Sequence, residues 1–453
     1  MGEPRGRVLP RRFGVLLAGV PLVAVLLADA ALLARRSAPE PSSDKPNTTV
    51  TSPEASRGVN DAARARTQAL RGLLARRGDA VVHHDRAAWL ATIDPQHRTF
   101  RRQQAAVFDN LRHVPLASWD YSFNPDDAQL PNARTQRYHA PAWAPATFAL
   151  HYRLRGFDTQ PTNLAQYPTF VQRHGKWYLA SLNDYVSDGQ QSAKELWDFG
   201  PVDVVRRPGV LVLGHPGSAA TMQEVADEVG SDIPRVTAVW GRHWARRAVV
   251  LVPATQRELS RVVDDYGSLD HIAAVATAEV QARPGHPAPV GNRIGINPGN
   301  WPKLSALGRR IVLTHELTHV ATRSVTGGAM PTWLAEGFAD YVGYLDSGIP
   351  VSFAAQELAA EVRAGHVPRQ LPPNGQFDGA NQKLSEAYEG AWMACRLIAQ
   401  RYGQRSLVRF YREVGTSSSS TTSALATATH DDLHVSFDRF IRQWREFLRA
   451  ELG

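Results

Sequence analysis

Five consecutive residues, His315-Glu316-Leu317-Thr318-His319, have types and spacing suited to holding a metal. In an α-helix residues i and i+4 lie one above the other, so both imidazoles can aim at one ion. Glu316 follows His315 by about 100° around the helix axis. It flanks the ion without filling a ligand position, where a carboxylate can take a proton from a water that the metal activates. The surrounding run, Arg309 to Val325, has no proline or glycine and contains Ile311, Val312, Leu313, Leu317 and Val320. That pattern predicts one buried helix.

A catalytic zinc site takes three protein ligands and keeps one position open. The longer motif that adds a glycine and a third histidine downstream fails, because Thr322 and Val325 occupy those places. The sole cysteine, Cys395, sits among Ala391, Leu397 and Ile398 and reads as core. Glu336 is the stronger candidate. Gly327-Gly328 and Pro331 break the first helix, and TWLAEGFADYVGY, Thr332 to Tyr344, predicts a second. A short loop and an antiparallel return bring Glu336 back to the histidines. Asp340 shares its face four residues on. A ligand histidine commonly donates its other ring N–H to a carboxylate, and Asp340 is placed to receive it. Other histidines (His83, His84, His215, His243, His271) lack a partner at ligand spacing.

The combination HELTH…WLAEGFADY resembles the gluzincin-type zinc metallopeptidases of the peptidase MA superfamily, and within them bacterial membrane-anchored families of unassigned substrate. The resemblance covers roughly residues 210–450. It implies Zn2+ bound by His315, His319 and Glu336, with Glu316 as general base in the hydrolysis of a peptide or protein. In such enzymes a strand ahead of the motif helix pairs with an extended peptide. Asn292 to Asn297 reads either as that edge strand, with Ile294, Gly295 and Ile296 binding substrate, or as an ordinary sheet strand. A later tyrosine or histidine often stabilises the oxyanion in this family. Tyr388 is the candidate here, ahead of Tyr341 and Tyr344.

The elements that must position these residues follow from the rest of the chain. Its 453 residues exceed what one core needs, and 43% hydrophobic with 21% charged residues is ordinary globular usage. A single cysteine excludes an intramolecular disulfide framework and a thiolate zinc cluster. Half of the net charge of +8 lies in residues 1–36, and the remainder is mixed in sign, which argues against nucleic-acid binding.

Phe13 to Ala34 contains one charge, Asp29, behind a leader with four arginines. As a helix it reaches about 33 Å, enough for a hydrocarbon core of about 30 Å. The arginines favour a cytoplasmic N-terminus. The segment reads as a single-pass signal-anchor, or as a signal cleaved at Ala28-Asp29-Ala30 that releases the protein. Both readings put the rest of the chain outside the cytoplasm. Residues 37–58 are Pro, Ser, Thr and charge, a linker composition.

Helical stripes over Leu70, Leu73 and Leu74, over Trp89 to Ile93, and over Phe100 to Leu111 precede alternating stretches at Leu116–Phe123 and Thr147–Leu154. His174-Gly175 predicts a hairpin. Residues 59–186 therefore read as a small α+β domain, which resembles the cystatin-like, nuclear-transport-factor-like domains often attached to bacterial membrane anchors. A connector, 187–209, leads to the metallopeptidase domain at 210–453, expected as an antiparallel-edged sheet plus helices. Thr416 to Thr429, rich in Ser and Thr, reads as an exposed loop. The competing class is a non-enzymatic extracytoplasmic binding or scaffold protein, its ligand in the 59–186 domain and its metal site idle or structural.

Overall fold

A computed structural model of the protein describes residues 53–126, 136–263, 269–270, 272–281, 288–379 and 381–453. The expected membrane segment lies outside the described residues. Among the described residues no helix is long and apolar enough to cross a membrane. The fold is mixed α+β.

Three helices lead: α1 (Pro53–Val82), α2 (Arg86–Ala91) and α3 (Arg98–Asn110). The first begins inside the expected 37–58 linker, with a proline at its start, where a missing N–H costs nothing. Asp85 caps α2 through the Ala88 N–H. Two three-stranded antiparallel sheets follow. One has the order β1 (Leu116–Phe123), β3 (Phe148–Leu154), β4 (Thr162–Ala165). The other joins β2 (Ala142–Trp143), β5 (Thr169–Arg173) and β6 (Lys176–Ser181). His174 and Gly175 turn the β5–β6 hairpin, both at positive φ as such a two-residue turn requires.

A five-stranded mixed sheet organises the remainder. It takes its first strand, β7 (Asp203–Arg207), from within the expected connector. β8 (Val210–Gly214), helix α4 (Ala219–Trp240), β9 (Ala248–Val252), α5 (Gln256–Val262), β10 (Ala274–Gln281) and β11 (Ala288–Ile296) follow. The spatial order is β10-β11-β9-β8-β7. The centre is parallel and both outer pairs are antiparallel.

The central strands are apolar on both faces, as strands covered on both sides must be. Val210, Val212, Val250 and Val252 point into the larger core under the helices. Their alternates Leu211, Leu213, Val249 and Leu251 pack against Trp119 and Leu150 of the N-terminal unit, which α1–α3 and the two small sheets form, and against Trp197 in the segment that follows it. The sheet is thus a partition, with helices on one side and the N-terminal unit on the other.

Of the two readings of Asn292 to Asn297, the structure shows an ordinary sheet strand and not the edge. Ile294 pairs with Val250 on one side and Ala276 on the other, and Gly295 with Leu251 and Val275. Ile294, Gly295 and Ile296 are therefore interior positions. In the β10–β11 hairpin the second strand runs parallel to β9 and takes the place beside it, which leaves the first strand, β10, at the edge.

Helices α6 (Ala306–Thr322), α7 (Thr332–Tyr344), α8 (Gln356–Arg363), α9 (Leu384–Tyr402) and α10 (Gln404–Thr416) cover the helix side. Two more, α11 (Thr421–Leu433) and α12 (Phe437–Leu452), close the chain. The helix α11 replaces the expected Ser/Thr-rich loop. Ser420 is its N-cap, through the Ser423 N–H, and Ala424, Leu425, Ala428 and Leu433 supply a buried stripe. Alanine carries that stripe with little hydrophobicity, so polar composition masked the period.

Candidate metal centre

The helix that carries the two histidines is buried on nearly every side. Ser305 caps its start by accepting from the Gly308 N–H, and residues 311–319 are all inside. After the Gly327-Gly328 turn, α7 runs back along α6, and α9 packs on the far side of α7. Gly337, next to Glu336, permits that second approach: a Cβ there would stand 2.3 Å from the Ala391 carbonyl oxygen. A glycine thus brings α9 down over the helix that presents Glu336.

The His315 and His319 Nε2 atoms lie 3.0 Å apart. Glu336 Oε2 is 3.3 Å from the first and 3.4 Å from the second. Among the described residues this is the one group of three or more such side chains whose donor atoms converge, all within 4.8 Å. Three donors each about 2.0–2.1 Å from a tetrahedral zinc stand roughly 3.3 Å from one another. Glu336 is 1% exposed, and among the described residues neither of its carboxylate oxygens has a hydrogen-bond partner. A buried carboxylate costs several kcal/mol without compensation, of the order of a lost ion partner. Lone pairs aimed at one point and a carboxylate without hydrogen bonds fit a divalent cation. Two imidazoles and one carboxylate are a donor set suited to Zn2+.

Asp340 sits one turn beyond Glu336, and its Oδ1 lies 2.8 Å from His315 Nδ1. With Nδ1–H donated to Asp340, His315 presents Nε2 on the side shared with His319 and Glu336. Burial pushes the His315 pKa down, but the Asp340 charge and its hydrogen bond, with Glu336 adding, raise it well above the usual value. Burial acts upward on Glu336, yet the adjoining His319 and His315 rings hold it at about 2. The cluster is electrostatically coupled throughout.

Glu316 projects beside the three, its Oε2 accepting the backbone N–H of Ala276 at 2.7 Å. The strand on that side is β10, the edge. Arg323, just past α6, donates to the Ala276 carbonyl oxygen at 2.8 Å. Neither contact was foreseeable from residue types, because a backbone N–H carries no sequence signature. Tyr388 lies in α9, buried, with its ring edge-on to Phe377 at 4.9 Å. Tyr341 hydrogen-bonds Gln404, and Tyr344 packs on Trp392 with the ring planes tilted by 39°. Cys395 is fully buried in the α9 core. The structure thus brings together His315, His319, Glu336, Asp340 and Glu316. It sets Ile294, Gly295 and Ile296 one strand further in.

No family model matches the chain, and no curated protein matches it. Among solved structures it is similar to the M1 zinc metallopeptidase from Deinococcus radiodurans, at a TM-score of 0.32 and 16% identity over 69% of this chain. It is similar at 0.33 and 16% to a mutant of that enzyme bound to a Tyr-Ser-Ala substrate. The chain spans 61% of the length of these two structures. So distant a likeness carries no functional weight; the geometry of the site does.

Proposed function

We propose that the chain is a zinc-dependent peptidase. The convergence of His315, His319 and Glu336 on one point, with Glu316 adjacent, carries this reading. A zinc ion held there supplies Lewis acidity, which acidifies a water and polarises a carbonyl. Asp340 holds His315 in the tautomer that presents Nε2. Glu316 takes the proton of the attacking water and delivers it to the leaving amine, moving off the Ala276 N–H as it does so. The edge strand β10 offers an extended peptide its backbone groups beside Glu316, those of Ala276 once Glu316 and Arg323 release them. Tyr388 is assigned to the developing oxyanion, the role the motif resemblance gives it. We place the catalytic part outside the cytoplasm, anchored by Phe13 to Ala34 or released from it.

The test is turnover of a peptide panel by the purified full chain, with and without a chelator. Wild type should cleave and lose activity on chelation. The variant Glu316→Gln should keep its zinc and lose hydrolysis. Equal turnover by that variant would overturn the proposal.

A further inference from the structure

The edge strand beside Glu316 is held from two directions. On the helix side, Ala276 is fixed by Glu316 and Arg323. On the other side, Glu279 is gripped by the N-terminal unit. Its Oε2 accepts the Asn163 backbone N–H at 2.7 Å, and its Oε1 accepts from Asn163 Nδ2. Between Ala276 and Glu279 the β10–β11 register shifts, a bulge between Thr277 and Glu279. Bulges re-aim the residues next to them and are held in place by their surroundings.

The surroundings here come from residues 158–163. Opposite the bulge Gly291 adopts a φ of +61°, and a Cβ on it would stand 2.5 Å from Thr162 Oγ1. Only glycine takes both the conformation and the close approach. Two residues on, Arg293 leaves β11 on the same side and makes a bidentate pair with Asp158, both contacts at 2.8 Å and both side chains under 10% exposed. Asn163 is itself fixed, because its Oδ1 meets His151 Nδ1 while Ser122 Oγ lies 2.7 Å from His151 Nε2.

From this we infer that the N-terminal unit is a positioning element of the active site: Asp158, Thr162 and Asn163 set the path of the β10–β11 hairpin and so the line on which a peptide lies beside Glu316. The unit is therefore no mere spacer. In its kinetic consequence the inference rests on the peptidase reading; in its structural consequence it does not. Asn163 acts through Glu279, away from the reacting atoms, so its loss alters peptide placement rather than the chemical groups.

The experiment uses the full chain carrying Glu279→Ala, Asn163→Ala or the conservative Glu279→Gln, which keeps one acceptor oxygen. The readouts are amide hydrogen exchange along residues 274–281, KM and kcat on a cleaved peptide, and zinc content. Both alanine variants should exchange faster along β10 while α6 and α7 stay protected. Their KM should rise about tenfold, with kcat within about twofold and zinc content unchanged, because a displaced β10 weakens its hold on the peptide backbone equally in the ground and transition states. Glu279→Gln, which can still accept the Asn163 backbone N–H, should recover part of the loss. Unchanged exchange along β10 in both alanine variants overturns the inference. So does a fall in kcat equal to that in kcat/KM with KM unmoved. Should wild type cleave no peptide, the peptidase reading fails while the exchange result still decides the positioning role.

Discussion

Two buried polar clusters face away from each other across the same sheet. On the helix side stand His315, His319, Glu336 and Asp340; on the other stand Arg293, Asp158, Tyr152 and Glu195. Both are inside the protein and both carry charge. They differ in where their polar atoms point. In the second cluster Arg293 pairs with both oxygens of Asp158, and the Tyr152 hydroxyl donates to Glu195 at 2.6 Å. Every strong donor there meets an acceptor of the chain. In the first, three acceptor atoms crowd together and Glu336 has no hydrogen bond among the described residues. Burial of charge alone does not mark a functional site. Convergence of ligand atoms on one point does.

The sharpest break in the comparison is chemical. Removing the Glu316 carboxylate, as Glu316→Gln, should lower kcat by about 10²- to 10⁴-fold with zinc retained, the usual share of a general base. No substitution in the second cluster should touch the proton transfer itself. There the large effect is on stability. Asp158→Ala leaves the Arg293 guanidinium buried without its partner, which costs roughly 3–5 kcal/mol, read by denaturant unfolding.

A pH dependence separates the clusters further. Burial raises Glu195 from 4.5 to about 7, outweighing the Tyr152 hydrogen bond and the Arg293 charge that pull it down. Between those values the folded chain holds a proton that the unfolded chain has lost. Stability from this group is therefore complete below pH 4.5 and declines as pH rises towards 7. The shift corresponds to about 3 kcal/mol at most. Glu195→Gln should thus raise the melting temperature at pH 8, leave it nearly unchanged at pH 4, and flatten the profile between. A steeper profile in the variant would contradict the assignment. The smallest effect belongs to Asp340. Replacing it with alanine should weaken zinc affinity by about 10–100-fold without unfolding the chain, read by competition with a chelating dye.

The two clusters were unequally legible in the sequence. Histidines at i and i+4 on an unbroken apolar helix fix their own geometry, and a two-glycine turn with a proline fixes the return that brings Glu336 and Asp340 back. Local spacing carries all of that. Arg293, Asp158 and Glu195 are far apart in sequence and joined by tertiary contacts alone, so no period announces them. The same limit applies to the sheet. The two strands of the β10–β11 hairpin read alike, and which one faces outward depends on the parallel pairing of β11 with β9. The continuous apolar runs at Val210–Leu213 and Ala248–Val252 have the pattern of strands covered on both faces, and both are strands. The short β7, with two arginines, lacks that pattern.

The central claim is that three side chains from two helices form one zinc site. Elemental analysis of the full chain, purified with zinc supplied and compared with His319→Ala, tests it directly. About one zinc per chain in wild type, falling to near zero in the variant, is the predicted result. Wild type that emerges free of metal, or a variant that keeps as much zinc as wild type, would contradict it.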